Sequence, residues 1–539
     1  MALLLIVSMA FSVGRAESEA PGGALLAPAN LLLLGATVGD IQIVNDNIFD
    51  LDDPAENKAL YRLANRLHSK TDAEVIARQL LFASGELFDP QKLAESERLL
   101  RKTRYIGDVD IRPVRLNDGI VDILVNTTDD WTLKPSLSFG REGGVNTAGV
   151  GVEEYNLFGR GTHIGVEFKA DVDRDSLLMQ FSDRNLFGSR FGLSADYANN
   201  SDGFDRRLAV EQPFYSLRSR RAGGLSLQNG RQITTLYDRG DAVAEFDHSF
   251  VRHSAWFGWS KGLTRRWTRR ITSGFEFEED RFRSLESALG ERSELPTARR
   301  YAYPFIGIEI VEDDYLKTRN VDQIGRVEDR HLGAAFAMKL GFSSKTFGSS
   351  KDALHLEAAY ANAWKTGLRS TVLLQSALRG RYQQQQAANV LLELGARFDL
   401  RQSERRLLHA RVSATVGKNL DPENILYLGG ASGLRGYPLR YLSGNKTLLF
   451  TVEQRVFTDW YPFRVFRVGG AIFFDAGRSF GPSLSAANNP GWLRNVGVGL
   501  RLGNTRSSVG RVLHLDLAMP LDGDPSLGNL QVQIEAKRS

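Results

Sequence analysis

The sequence predicts a mainly β protein in which a transmembrane antiparallel β-barrel follows one small α+β domain. Three observations support this fold class. Segments of alternating polarity run from Trp131 to the end of the 539 residues, and no apolar run after Phe11 approaches the ~18 residues of a membrane-spanning helix. The 52 glycines and 10% aromatic residues suit barrel strands, whose lipid-facing and lumen-facing side chains alternate and therefore escape hydropathy analysis.

Composition narrows the function classes. The net charge of +4 arises from 68 basic and 64 acidic residues spread along the whole chain, so the sequence predicts no nucleic-acid partner. A hydrophobic content of 42% and a mean hydropathy of −0.26 exclude both a disordered chain and a helical membrane protein. The absence of cysteine excludes disulfides, thiolate nucleophiles and cysteine-ligated metals.

The N-terminal residues predict export. Residues 2–11 form an apolar core of signal-peptide length, and Gly14-Arg15-Ala16 places small residues where a signal peptidase cleaves, so residues 1–16 are predicted to be a signal peptide. The alternative is a buried N-terminal helix, because no Lys or Arg precedes the apolar core. Residues 17–35 are predicted to be a linker, and the apolar residues 31–34 belong either to it or to the first strand of the next domain.

Residues 36–130 predict a small domain with the order β-α-α-β-β. A strand-like stretch at 41–48 precedes two stretches with helical spacing of leucine, at 60–67 and 92–104. A hairpin follows, with Asn117-Asp118-Gly119 as its turn. An unrelated α+β domain would show the same pattern.

The remaining residues, 131–539, predict a barrel. Two Asn-Leu-Phe-Gly turns, at 156–159 and 185–188, separate strands that alternate in polarity. An antiparallel sandwich shows the same alternation, but the strand pattern is too long for one sandwich, and a closed barrel leaves no strand edge unpaired. The charged segments 284–299 and 316–330 are expected to face the outside.

The glycine-rich loop 425–445 carries the candidate site. In a barrel such a loop can fold inward, and an arginine that enters the lumen needs a carboxylate to offset its lost hydration. Arg435 is that arginine, and Glu453 and Asp475 are its predicted partner carboxylates. Taken alone, the loop also fits a hairpin turn, and Asp475 fits an aspartate that closes a strand.

Together these motifs resemble the outer-membrane assembly and two-partner-secretion barrel superfamily, which is also called the bacterial surface antigen family. The family's inward-folded loop has an Arg-Gly-Tyr/Phe tip, which Arg435-Gly436-Tyr437 matches. A later strand has the motif Phe-x-Asp-x-Gly, which is matched at Phe473, Asp475 and Gly477. The resemblance implies a lumen loop held by the two carboxylates.

The same resemblance extends to the N-terminal domain. Leu100-Arg101-Lys102-Thr103-Arg104-Tyr105 matches the Leu-Arg-x-x-x-Tyr motif before the second strand of a polypeptide-transport-associated (POTRA) domain. Residues 36–130 are thus predicted to be one POTRA-like periplasmic domain, which is fewer than most relatives carry. Five candidate strands follow the loop, as in the family, and up to fifteen precede it, where relatives have eleven. Because a segment of this kind is either a full wall strand, half of one long strand or part of a hairpin in an extracellular loop, the prediction is roughly 16 strands and an even number.

The resemblance also implies a seam between the first barrel strand, about 133–141, and the last, about 530–536. Gly140, Gly143 and Gly144 flank or end the first strand and are expected to weaken it.

Two function hypotheses follow. In the first, the barrel inserts polypeptides into the outer membrane or translocates them across it, and the POTRA-like domain captures an unfolded client by strand addition. In the second, it is a pore or surface antigen without a folding client. Outer-membrane lipid and periplasmic accessory proteins are the other expected partners. No H-E-x-x-H motif, G-x-S-x-G motif or phosphate-binding glycine loop is present, so we predict no enzyme, no catalytic or metal-binding residue and no cofactor.

Overall fold

The computed structural model describes residues 28–287, 296–482, 490–507, 511–522 and 527–538. The predicted signal peptide, residues 1–16, lies outside these ranges. No helix in the described ranges has the length and apolar character to cross a membrane.

The N-terminal domain is a three-stranded sheet covered by helices. The central strand, β3 (Ile120–Asp129), has β1 (Thr37–Asp46) parallel to it on one side and β2 (Ile106–Asn117) antiparallel to it on the other. The two predicted helices and the hairpin are present, but a third short helix was not predicted, and residues 31–34 fall mostly in a helix instead of a linker or strand. The elements are α1 (Pro28–Leu33), β1 (Thr37–Asp46), α2 (Ala59–Leu67), α3 (Ala73–Ala77), α4 (Pro90–Arg101), β2 (Ile106–Asn117) and β3 (Ile120–Asp129).

Local sequence signals explain the boundaries in this domain. Asp118 and Gly119 have φ angles of 48° and 79°, as a two-residue hairpin turn requires. Helix α4 begins at Pro90, and the Asp89 carboxylate before it accepts a hydrogen bond from the Gln91 amide at 2.9 Å. The core between sheet and helices contains Ile76, Phe88, Leu100, Ile106, Val121, Ile123 and Val125.

The rest of the described chain forms a closed antiparallel barrel of 20 strands. The predicted number of roughly 16 is therefore wrong, whereas the predicted even number is confirmed. Fifteen wall strands precede the lumen loop and five follow it, because each candidate segment has its own hydrogen-bonded neighbours and none is half of a longer strand. The strands, together with two inner hairpins, β14–β15 and β21–β22, are β4 (Leu133–Glu142), β5 (Val145–Leu157), β6 (Thr162–Ala170), β7 (Asp175–Asp183), β8 (Gly192–Asn200), β9 (Gly203–Gln212), β10 (Arg221–Asp238), β11 (Asp241–Thr264), β12 (Trp267–Ser287), β13 (Arg299–Glu312), β14 (Tyr315–Arg319), β15 (Val327–His331), β16 (Ala335–Ser343), β17 (Ala353–Lys365), β18 (Ser370–Gln383), β19 (Gln386–Ser403), β20 (Arg406–Lys418), β21 (Leu426–Leu428), β22 (Leu442–Gly444), β23 (Lys446–Phe457), β24 (Phe466–Phe480), β25 (Leu493–Asn504), β26 (Arg511–Pro520) and β27 (Gln531–Arg538).

The outer face of the wall is apolar. In β24, Ile472 is 67% exposed and Phe474 is 38% exposed, whereas the intervening Phe473 and the following Asp475 are buried in the lumen. In β26, Leu517 and Met519 are likewise exposed on either side of the buried Ala518. A wall that turns aliphatic side chains outward and charged ones inward is the pattern of a barrel surrounded by lipid.

The barrel has a near end, which carries the N-terminal domain, and an opposite far end. The turn between β5 and β6 marks the near end, because its Gly159 carbonyl accepts a hydrogen bond from Asp72 of the domain. Strand β12 ends and β13 begins at the far end, and residues 288–295 of the charged segment 284–299 lie outside the described residues. Segment 316–330 was expected beside it but lies at the near end, where Asp329 pairs with Arg101 of α4 at 2.7 Å. That prediction is wrong because the charges of this segment serve contacts with the N-terminal domain.

The closing contact between β27 and β4 is the weakest in the described wall. It comprises one register pair, Ile534 with Arg141, whereas β4 and β5 form ten pairs and β26 and β27 form eight. Gly140 lies against this contact, since a Cβ atom added there would be 3.3 Å from the Ile534 carbonyl oxygen. Gly143 and Gly144 form the turn after β4, with φ angles of 52° and 87°.

Candidate functional site: the lumen loop and its ion cluster

The lumen loop, residues 419–445, enters the barrel from the far end between β20 and β23. A short hairpin of β21 and β22 forms its base. Between them the chain makes a tight turn in which the Gly429 amide donates to Ser432 Oγ at 2.7 Å, and Gly433 adopts a φ of 112° that favours glycine. This turn directs the four residues from Leu434 to Tyr437 into the interior, where all four are buried.

Arg435 is held by carboxylates from three strands. Its Nε and Nη2 donate to the two oxygens of Asp475 at 2.9 Å each, so that pair is bidentate. Its Nη1 donates to Asp516 at 3.1 Å and to Glu453 at 3.3 Å. Arg435 is 4% exposed and Asp475 is fully buried, so solvent screens this contact little.

Two further arginines complete what we call the lumen ion cluster. Arg501 donates to Asp516, and its Nη2 reaches Glu453 at 3.4 Å. Arg455 donates from Nε to the same Glu453 oxygen at 3.0 Å. Three arginines thereby balance three carboxylates among the described residues of the cluster, which is how a buried set of charges avoids an uncompensated one.

Strand geometry explains the motif Phe-x-Asp-x-Gly. Positions 473, 475 and 477 alternate with outward residues and so all point into the lumen. The Phe473 ring lies 3.3 Å from the Arg435 guanidinium carbon, and Asp475 supplies the bidentate carboxylate. Gly477 leaves room for Leu434, because a Cβ atom there would lie 3.2 Å from its methyl groups.

The residues after Arg435 fasten the loop to the wall. A Cβ atom at Gly436 would lie 2.7 Å from the Asn495 Cβ atom, so the close approach requires glycine. Tyr437 is fully buried, and its hydroxyl lies 2.8 Å from the Arg494 carbonyl oxygen and 2.9 Å from that of Asp522. Through this hydroxyl the loop binds backbone carbonyl groups at the start of β25 and just after the end of β26.

The loop also reaches the wall on the far side of the seam. A Cβ atom at Gly143 would lie 2.1 Å from the Leu439 nitrogen, so the turn after β4 presses directly on the loop backbone. Arg440 makes two hydrogen bonds, of 2.7 and 2.6 Å, to Asp173 in the turn between β6 and β7. The seam glycine Gly143 and the lumen loop are therefore in contact.

The N-terminal domain packs on the near end through buried polar contacts. The Glu95 carboxylate of α4 accepts a hydrogen bond from the Leu217 amide of the barrel at 2.6 Å. Burial raises the pKa of Glu95, although that amide opposes the shift. Tyr61 donates to the Phe463 carbonyl oxygen at 2.9 Å, and Arg98 pairs with Asp313 at 3.2 Å.

Sequence reasoning named Arg435, Glu453 and Asp475, and the structure brings all three together. It did not name Asp516, Arg501, Arg455 or Asn495, whose amide donates to Asp475 at 2.8 Å. The signal for Asp516 was available, because Leu513-His514-Leu515-Asp516-Leu517 alternates and places a carboxylate at an inward position. Among the described residues no group of three or more His, Asp or Glu side chains is arranged so that it could hold a metal ion.

The fold and the site together define a class: a lipid-facing β-barrel with an arginine loop locked inside its lumen. No protein-family model matches the sequence. A putative outer membrane protein assembly factor of Treponema pallidum (strain Nichols) is 29% identical over 135 residues, which are 24% of this chain and 16% of that protein. Outer membrane protein assembly factor BamA of Nitratidesulfovibrio vulgaris is 25% identical over 162 residues, which are 28% of this chain and 20% of that protein.

These curated relatives are matched over a fifth or less of their own length. The solved structure of CdiB from Escherichia coli overlaps 92% of this chain and 75% of its own, at a TM-score of 0.47 and 12% identity. The similarity to assembly factors and the closed barrel confirm the predicted resemblance to the superfamily of outer-membrane assembly and two-partner-secretion barrels. The relatives are named for assembly, in agreement with the prediction that this chain is not an enzyme.

Proposed function

We propose that this protein inserts polypeptides into the outer membrane or translocates them across it, with its N-terminal domain in the periplasm. The seam is the observation that carries the proposal. Every other contact between neighbouring wall strands in the described residues has a long ladder, whereas β27 and β4 share one register pair. Opening this contact breaks few backbone hydrogen bonds, so within the described wall it has the smallest cost of any opening. A client strand could pair with the β4 edge and leave into lipid there.

Capture of the client by the N-terminal domain is the second part of the proposal. An extended peptide needs a free sheet edge, and the outer edge of β2 is occupied: Arg326 donates to the Gly107 carbonyl, Arg101 to the Val109 carbonyl, and Glu97 accepts from the Ile111 amide. The outer edge of β1 is paired only at its start, through Thr37 and Val38. Residues 41–46 form no ladder on that side within the described chain, so we assign capture to this edge of β1.

A photocrosslinking comparison tests the capture edge. A photoreactive residue at Gln42 on β1 should crosslink to an unfolded client, because main-chain pairing brings the client alongside. The matched control carries the photoreactive residue in place of Arg112 on β2. Position 112 is also exposed, and it should crosslink little. Equal yields at both positions, or a yield only at Arg112, would place capture elsewhere.

A disulfide lock tests the seam. Arg141→Cys with Ile534→Cys joins the one register pair, and the native chain has no other cysteine to interfere. In proteoliposomes the reduced variant should accelerate the folding of an eight-stranded outer-membrane barrel diluted from urea, and the oxidised variant should not. Leu517→Cys with Val532→Cys locks the fully paired β26–β27 ladder and should have no effect in either state.

The lock has clear contrary outcomes. A quantitatively oxidised seam that still accelerates client folding would remove lateral opening from the proposal. A wild-type barrel that releases ions but never accelerates folding would favour the pore or surface-antigen hypothesis. Heat-modifiable migration of every variant shows that the barrel itself is folded.

A further inference from the structure

The β14–β15 hairpin lies inside the near end of the barrel. It leaves the wall between β13 and β16, and its tip, residues 320–326, reaches β25, which is eight strands further round a wall of 20. Ile324 of the tip lies against Gly503 of β25, since a Cβ atom added to Gly503 would be 2.8 Å from the Ile324 Cβ atom. The hairpin therefore crosses much of the lumen instead of covering its own turn.

A carboxylate of the hairpin itself holds the tip in its conformation. The Glu328 carboxylate accepts hydrogen bonds from three consecutive tip amides, those of residues 321, 322 and 323, at 2.9 to 3.1 Å. Burial raises the pKa of Glu328. Such capping satisfies backbone groups that would otherwise be unpaired in the interior, and it gives the tip one conformation.

Apolar and charged contacts then fix the tip to the wall. Val321 and Ile324 are each 5% exposed and pack in one cluster with Leu407, Phe457 and Val512 from three strands. The Asp322 carboxylate accepts two hydrogen bonds from Arg397 of β19, at 2.7 and 3.1 Å.

Arg326 ties the tip to the N-terminal domain. Its guanidinium donates to both oxygens of Asp130, at 2.7 and 3.2 Å, and its Nη1 also lies 3.3 Å from the Thr505 carbonyl oxygen of the barrel. Burial lowers the pKa of Arg326, but the neighbouring Asp130 carboxylate raises it by more. The pKa of Arg326 is therefore above its ordinary value. Because Asp130 directly follows β3, one arginine joins the domain, the hairpin and the wall.

The hairpin and the lumen loop meet inside the barrel. Arg455 donates from Nε to Glu453 of the lumen ion cluster and from Nη1 to the Val321 carbonyl oxygen at 2.7 Å. A cavity of about 630 Å³ lies between the two inserts, with Asp322 on one side and Arg435 on the other. The near end and the far end are thus each occupied by a separate part of the chain.

We propose that the β14–β15 hairpin is a plug that closes the lumen from the near end and that the Arg326–Asp130 pair holds it shut. The plug follows from barrel geometry and does not depend on what the client is. Movement of the N-terminal domain would pull Asp130 away from Arg326 and release the tip. The tip in turn contacts the lumen ion cluster through Arg455, so release at the near end reaches the lumen loop by direct contact.

Ion conductance of the full-length protein in planar bilayers tests the plug. Wild type should conduct rarely, and Arg326→Ala should raise the open probability several-fold because the tip loses its tie to the domain. Arg405→Ala is the matched control: it removes an arginine from an exposed pair with Asp459 at the same end and should leave the conductance unchanged.

A disulfide makes the test independent of folding yield. In the Arg326→Ala background, Gly325→Cys with Thr505→Cys should conduct when reduced and fall to the wild-type level when oxidised. A Cβ atom at Gly325 would lie 3.4 Å from the Thr505 Cγ2 atom, so the disulfide fixes the tip to the wall directly after β25. Openings that persist after complete oxidation would overturn the plug. So would an Arg326→Ala barrel that conducts like Arg405→Ala. These experiments measure only the passage of small ions. Their outcomes therefore neither support nor contradict the proposal that the barrel inserts polypeptides.

Discussion

Replacement of Arg435 by alanine should leave a barrel that still folds but whose lumen loop is no longer held. Asp475 is fully buried and would lose a bidentate partner, and the Asn495 amide is the one hydrogen-bond donor that it would keep among the described residues. Removing one member of a buried ion pair costs roughly 3 to 5 kcal/mol, because the remaining charge is uncompensated. Glu453 and Asp516 are affected less, since Arg455 and Arg501 still contact them. We expect protease cleavage within residues 425–445 and loss of client folding.

Three further variants separate the causes. Arg435→Lys should restore protection only in part, because an ammonium group cannot reproduce the planar fork that meets both Asp475 oxygens. Arg435→Ala combined with Asp475→Ala should recover some stability, since no buried charge is left alone. Arg440→Ala removes a half-exposed arginine from the same loop and should cost at most about 1 kcal/mol. A loop that stays as protease-resistant as wild type in Arg435→Ala would contradict the assignment.

Substitution of Gly143 by alanine should displace the lumen loop from the turn between β4 and β5. The new Cβ atom would lie 2.1 Å from the Leu439 nitrogen and 2.6 Å from the Pro438 carbonyl carbon, and backbone atoms cannot rotate away as a side chain does. Either the loop or the turn after β4 must move. Because that turn follows the strand at the seam, we expect loss of loop protection together with faster oxidation of the Arg141→Cys, Ile534→Cys pair.

Gly144 is the matched control for this change. It belongs to the same turn and also has a positive φ, of 87°, but a Cβ atom there would meet nothing within 4 Å. Both alanines bear the strain of a left-handed backbone, about 1 to 2 kcal/mol, so only the clash distinguishes them. Limited proteolysis should show wild-type protection in Gly144→Ala. Equal effects of the two substitutions would mean that turn strain, and not contact with the loop, is responsible.

The sequence by itself determined the fold class and the centre of the site. Alternation placed apolar residues such as Ile472 outside and Asp475 inside, because side chains on a strand point to opposite faces in turn. Asn117-Asp118-Gly119 and Asp89-Pro90 specified a turn and a helix start through local backbone preferences alone. An arginine in a glycine-rich loop required a carboxylate, and two were visible at Glu453 and Asp475.

Only the tertiary structure decided the remaining features. The strand number of 20 depends on which segments share hydrogen bonds, and alternation does not distinguish one long strand from two neighbours. The contact of Gly143 with the lumen loop joins parts of the chain that are distant in sequence. The placement of 316–330 inside the near end depends on partners in other elements, Asp130 and Arg455, that no local pattern names. Charge in a segment shows that it needs water or a counter-charge, and the fold decides which of the two it meets.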